Sequence, residues 1–99
     1  MDKPYFIKET KIEIYKDFDG KCGHCGSTQA LEFHHIIPNT ILNRKIYGNE
    51  RIQSKENGFL ICKPDHEKVN IILKEKRKAL KQKWNAEINQ QREEILLQG

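Results

Sequence analysis

The segment CGHCGSTQALEFHHIIP, residues 22–38, holds two of the chain's three cysteines and three of its four histidines. Thiolates bind borderline divalent metals, and imidazole does the same while also exchanging protons near neutral pH. Cys22-x2-Cys25 has the spacing of half a zinc site, in which each thiolate supplies a Zn–S bond of about 2.3 Å. The other half must come from a separate element, so that the metal ties two pieces of chain together. Cys62 offers a third thiolate, and Asp65 stands where a second C-x2-C would end. The expected structural zinc set is therefore Cys22, Cys25, Cys62 and Asp65. His24, inside the knuckle, is the alternative fourth ligand. A degenerate site that holds zinc poorly, or three unrelated buried thiols, are the plainer readings of the same residues.

The adjacent pair His34-His35 suggests a second chemistry, with Asn57 and His66 further along. Neutral imidazole is a general base at physiological pH and a ligand for divalent ions. Consecutive residues of a regular strand point to opposite faces. Both rings can serve one site only if the strand breaks down there or a loop folds over it. Pro38 and the long polar segment behind it allow either.

These residues need elements to position them. The stretch 8–18 reads as a short helix with Ile14, Tyr15 and Phe18 on one face, stopped at Asp19-Gly20, although Ile12 and Ile14 also alternate as in a strand. ALEFHHII alternates, with Leu31 and Phe33 on one face, and is expected to be a strand closed by Pro38. Residues 39–57 read as a long polar loop containing a helical turn around TILNRKIYG. GFLIC, 58–62, is a short apolar strand able to pair with 30–36 as an antiparallel hairpin. Pro64 and Asp65 open a long helix. Its apolar stripe is Val69, Ile72, Leu73, Leu80, Trp84 and Ile88, and the pattern weakens after Trp84 but can run to Leu97. Trp84, four residues after Leu80, is read as a packing residue.

With 99 residues, 36% hydrophobic and 32% charged, the chain makes one domain with a thin core, for which a metal staple is expected. Three cysteines cannot all pair within the chain, MDKPYFIKETK has no apolar signal core, and no apolar run approaches about 20 residues. An intracellular, cytoplasmic setting without membrane contact is expected. The net charge of +4 suits a polyanion, and KEKRKALKQK, residues 74–83, sets six basic residues against one acid. A solvated helix face is the plain alternative.

CGHCGSTQALEFHHIIP and NGFLICKPDHEK together resemble the HNH endonucleases, the ββα-metal nucleases of zinc-knuckle type. The resemblance covers about residues 12–70 and keeps several motifs in order. It implies an α+β fold: a small ββα-metal domain with a structural zinc knuckle, extended by a long, basic C-terminal helix over about 71–97, with 1–99 as a single unit. It also implies a bacterial or phage-type DNA endonuclease that hydrolyses phosphodiesters with one catalytic divalent ion, Mg²⁺ or another. By position, His35 matches the general base, and His34 and His66 match ligands of the catalytic ion. Asn70 takes the place of an added ligand, and Asn57 matches the asparagine that fastens the loop and orients the base. Arg44, Lys45, Arg51 and Lys55 in the loop, with Lys74, Arg77, Lys78 and Lys81 on the helix, would contact the phosphates of double-stranded DNA. The C-terminal helix could join two copies as a homodimer. The competing expectation is a non-catalytic zinc-knuckle nucleic-acid-binding protein.

Overall fold

The computed structural model describes residues 6–98. Its elements are α1 (Lys8–Asp17), β1 (Leu31–His35), α2 (Ile41–Tyr47), α3 (Asn49–Ile52), a 3-10 turn (Lys55–Asn57), β2 (Gly58–Cys62), α4 (Lys63–His66), α5 (Val69–Ile72) and α6 (Lys74–Gln98). The chain is a small α+β protein, with one two-stranded antiparallel sheet among the described residues and a long C-terminal helix.

The sheet is the expected hairpin. Its register pairs Leu31 with Cys62, Phe33 with Leu60, His34 with Phe59 and His35 with Gly58. One face carries Leu31 and Phe33, which pack with Leu60 against Phe6 and Ile14 under α1. The other side belongs to the main core, where Phe59 and Ile61 meet Ile37, Tyr47, Ile52, Leu73 and Trp84. Because every β2 residue is buried and every β1 residue is half-buried, β2 is the interior strand and β1 carries the open edge.

α1 ends where expected: Asp19 (φ 54°) and Gly20 (φ 64°) leave the right-handed region, and Gly20 N–H donates to the Tyr15 carbonyl at 2.9 Å. Gly58 begins β2 because Ile14 lies against its backbone; a Cβ there would come within 2.2 Å of the Ile14 Cδ1.

Two expectations are corrected. The helical turn expected around TILNRKIYG is α2, but the rest of 39–57 is not a polar loop: Thr40 caps α2 by accepting from Asn43 N–H at 3.1 Å, and Gly48 (φ 91°) turns the chain into α3 and then the 3-10 turn. The long helix does not begin at Pro64. It is broken into α4, α5 and α6 by turns at Glu67-Lys68 and at Leu73, while the Lys-, Glu-, Ala- and Gln-rich run after 74 favours a continuous helix. α6 then continues through Trp84 to Gln98 without the expected weakening. Trp84 is 0% exposed beside Tyr47, their ring centroids 5.4 Å apart, and so is a packing residue.

Candidate functional site: a thiolate cage and a histidine cleft

The knuckle forms because a tight turn follows α1. Gly26 N–H donates to the Cys22 carbonyl at 3.0 Å, and Cys22 N–H to the Ser27 carbonyl at 2.8 Å. The turn is sewn to the sheet by Gly23 N–H, which donates to the Leu60 carbonyl at 2.7 Å. Only glycine fits at 23, because a Cβ would come within 2.6 Å of both the Phe18 and the Phe59 rings. Facing the turn, Cys62 ends β2 and Asp65 lies in α4.

The ligand atoms of Cys22, Cys25, Cys62 and Asp65 all lie within 4.8 Å of one another. Cys25 and Cys62 Sγ are 3.5 Å apart, and Cys22 Sγ is 3.4 Å from Asp65 Oδ2. A tetrahedral zinc with bonds of about 2.3 Å sets its sulfurs about 3.8 Å apart, so the donor set and its spacing fit that ion. His24 is exposed and outside this group.

The four groups shift one another's pKa values. Burial pushes the Cys62 thiol up to about 12, and the Asp65 carboxylate, accepting from Cys25, raises that thiol too. Hydrogen bonds from Cys25 and Cys62 lower the Asp65 pKa. Burial also opposes ionisation of Cys22, but the backbone N–H groups of Cys25, Cys62 and His24 outweigh it and lower its pKa. A metal bound by thiolates there displaces protons, from Cys25 and Cys62 above all.

The histidines lie along the open edge of β1. A cleft there is lined by Phe33, His34, His35, Pro38, Asn39, Val69, Asn70 and Arg77. His34 meets His66 at the end of α4, with ring centroids 5.2 Å apart and planes at 66°. His66 Nδ1 lies 3.3 Å from Glu32 Oε2. His35 takes the opposite face, as strand alternation requires, stacking on Phe6 at 3.9 Å with Nε2 3.0 Å from Gln53 Oε1. Both imidazoles reach one cleft because β1 is an edge strand and the cleft wraps around its side. His34 and His66 are thus brought together, with His35 and Asn70 on the same cleft as His34. Among the described residues the three rings do not form a ligand group as compact as the thiolate cage.

Burial lowers the His34 pKa, and the positive fields of His66, His35 and Arg77 add to it. Burial also lowers that of His35, against the opposing hydrogen bond to Gln53. Both rings are thereby biased toward the neutral form that a base or a ligand needs.

Asn57 is 0% exposed and holds the turn behind the histidines. Its Oδ1 accepts from Ile37 N–H at 2.7 Å, and its Nδ2 donates to the carbonyls of Ile37 (3.0 Å) and Ile52 (2.9 Å). Its backbone carbonyl accepts from Ile36 N–H at 2.7 Å. Arg77 joins this clamp, donating from Nε to the Ile36 carbonyl at 2.7 Å.

The other basic residues divide in two. Arg51 bonds the Tyr47 carbonyl at 3.1 Å and faces Glu87 at 3.7 Å, Lys55 faces Asp17 at 3.6 Å, and Arg44 bonds Asn39 Oδ1 at 2.6 Å. Lys45, Lys74 and Lys78 are exposed, and Lys81 is half-buried.

Sequence reasoning missed Glu32 and Gln53. Glu32 was legible, because in a strand it shares a face with His34 two residues on. Gln53 was not, since only the fold of 39–57 brings it to His35.

Residues 22–70 match the family model described as HNH endonuclease, the family that the motifs resemble. That match gives the segment nuclease or nucleic-acid-binding chemistry. No curated protein and no solved structure matches.

Proposed function

We propose that this chain, which carries an HNH endonuclease segment over residues 22–70, is a metal-dependent DNA endonuclease in which His35 is the general base. In this reading 1–99 is a single ββα-metal nuclease unit, its core about 12–70 and its basic extension about 71–97. Cys22, Cys25, Cys62 and Asp65 hold a structural zinc. His34 and His66, with Asn70 alongside, hold Mg²⁺ or another divalent ion, and two imidazoles with a nearby carboxylate are a donor set that accepts one. Such an ion, when bound, supplies Lewis-acid stabilisation of charge on the phosphate.

The observation that carries the reading is the orientation of His35. With Nε2–H donating to Gln53 Oε1 at 3.0 Å, its Nδ1 keeps the lone pair that can take a proton from an attacking water. The stack on Phe6 fixes the ring plane, and Asn57 fixes the backbone that follows. Water oxygen bonds to phosphorus as the P–O3′ bond breaks, leaving a 5′-phosphate and a 3′-hydroxyl. Phosphate contacts come from Lys45, Lys74, Arg77, Lys78 and Lys81, while Arg44, Arg51 and Lys55 serve the scaffold first. Ile95, Leu96 and Leu97, exposed near the end of α6, suit a second copy docked along that helix.

A non-catalytic binder is the second reading, favoured by the absence of a compact three-histidine group among the described residues. Nicking of supercoiled plasmid separates the two. The nuclease cuts with added Mg²⁺, Mn²⁺ or Ni²⁺ and not without; a folded, zinc-loaded protein that shifts the plasmid in a gel but leaves it intact is the binder.

A further inference from the structure

α1 carries a feature that the cleft does not use. Lys8, Lys11, Ile12, Tyr15 and Lys16 line, with Phe33, a shallow groove of about 250 Å³. Their spacing puts them on one side of the helix, while Ile14 faces the sheet and Glu9, Glu13 and Asp17 follow on the adjoining flank without lining the groove. Ile12 is 45% and Tyr15 50% exposed, so the groove offers apolar surface to solvent. The Lys11 ammonium lies 5.8 Å from the centre of the Phe33 ring. Phe33 is also a wall of the histidine cleft, so groove and cleft meet across one aromatic ring.

An apolar floor rimmed by three ammonium groups is complementary to a sugar–phosphate strand. Lysines take phosphates, and aromatic and aliphatic surfaces take deoxyribose or an unstacked base. We infer that the α1 stripe is a second nucleic-acid track, holding the stretch of DNA that flanks the phosphate in the cleft. The inference rests on the nucleic-acid reading of the cleft but not on cutting. Phe33 joins the two surfaces: a strand leaving the histidines on that side passes over its ring and onto Ile12 and Tyr15.

The test measures binding of a fluorescent DNA duplex to the full, zinc-loaded chain across a salt series, without added magnesium. Lys8→Gln/Lys11→Gln/Lys16→Gln should flatten the logarithmic salt dependence by about 0.9 for each phosphate no longer neutralised. Ile12→Ala/Tyr15→Ala leaves the charge unchanged and should weaken binding severalfold while keeping the wild-type salt slope. Tyr15 rests against Gly20, so that variant is checked by its melting temperature, and the lysine set gives an independent answer. A salt slope and affinity equal to wild type in the lysine variant overturn the inference, as does a wild type that binds no DNA. An unchanged slope together with stripe-dependent binding of polyglutamate reassigns the groove to an acidic protein and also overturns it. If wild type binds DNA but never nicks it, the endonuclease reading fails, and the slope still decides the track.

Discussion

At the scale of single residues, both sites depend on where protons sit. As the proposed general base His35 must be neutral, and burial holds its pKa below the ordinary imidazole value of 6.5. A lowered pKa keeps the base form as pH falls through 6.5 and surrenders it only at lower pH. The pH–rate profile should therefore have an acid limb below 6.5; a limb above 7 contradicts the assignment. The cage works in the opposite sense. Burial holds the Cys62 thiol up at about 12 and Asp65 raises that of Cys25, so an ion bound there by thiolates displaces protons, and zinc should bind more weakly at about pH 6 than at about pH 8. Competition with a chromophoric chelator measures this, and equal affinity at both values argues against thiolate ligation. Asn57 is the most constrained polar residue. Asn57→Asp keeps the shape but turns an oxygen toward the carbonyls of Ile37 and Ile52, so it should cost at least as much as Asn57→Ala. Each buried group left unpaired costs about 1–3 kcal/mol, so urea melts should register about 2–5 kcal/mol for either variant.

At the scale of elements, the strand pair positions everything. β2 brings Cys62 to the knuckle at one end and Asn57 to the loop at the other, and β1 runs its histidines along the open edge. The hairpin, α1 and the cage were legible in the sequence because each rests on a local signal: alternation, an Asp-Gly stop, or a C-x2-C spacing echoed by Cys62 and Asp65. The helices within 39–57 and the breaks around α5 were not. They depend on Thr40 capping, a positive φ at Gly48 and the turn at Leu73, whose side chain is fully buried in the core. The hydrogen bond between Gln53 and His35 lay beyond the sequence for the same reason. α6 joins the core chiefly through Leu80 and Trp84, with Leu73 just before it, so Trp84→Ala should lower stability by about 3–5 kcal/mol without altering zinc content. A change under about 1 kcal/mol would mean that this helix is not integral to the fold.

At the scale of the whole molecule, the protein measures 52 × 27 × 24 Å, and α6, about 37 Å long, accounts for much of the long dimension. No helix among the described residues is long and apolar enough to cross a membrane. Apart from the cage, the main core is small, and the metal should contribute folding free energy directly. The histidine cleft, the α1 groove that adjoins it across Phe33, and the basic start of α6 lie around one edge of the sheet, giving a polyanion several contacts beside the reacting phosphate. The central claim is that His35 removes the proton of the attacking water there. It is tested most directly by the single-turnover cleavage rate of His35→Ala at saturating DNA and Mg²⁺, with zinc content and melting temperature matched to wild type. The expected rate is lower by about 10²–10⁴-fold with DNA affinity unchanged; a rate within a few fold of wild type would contradict the claim.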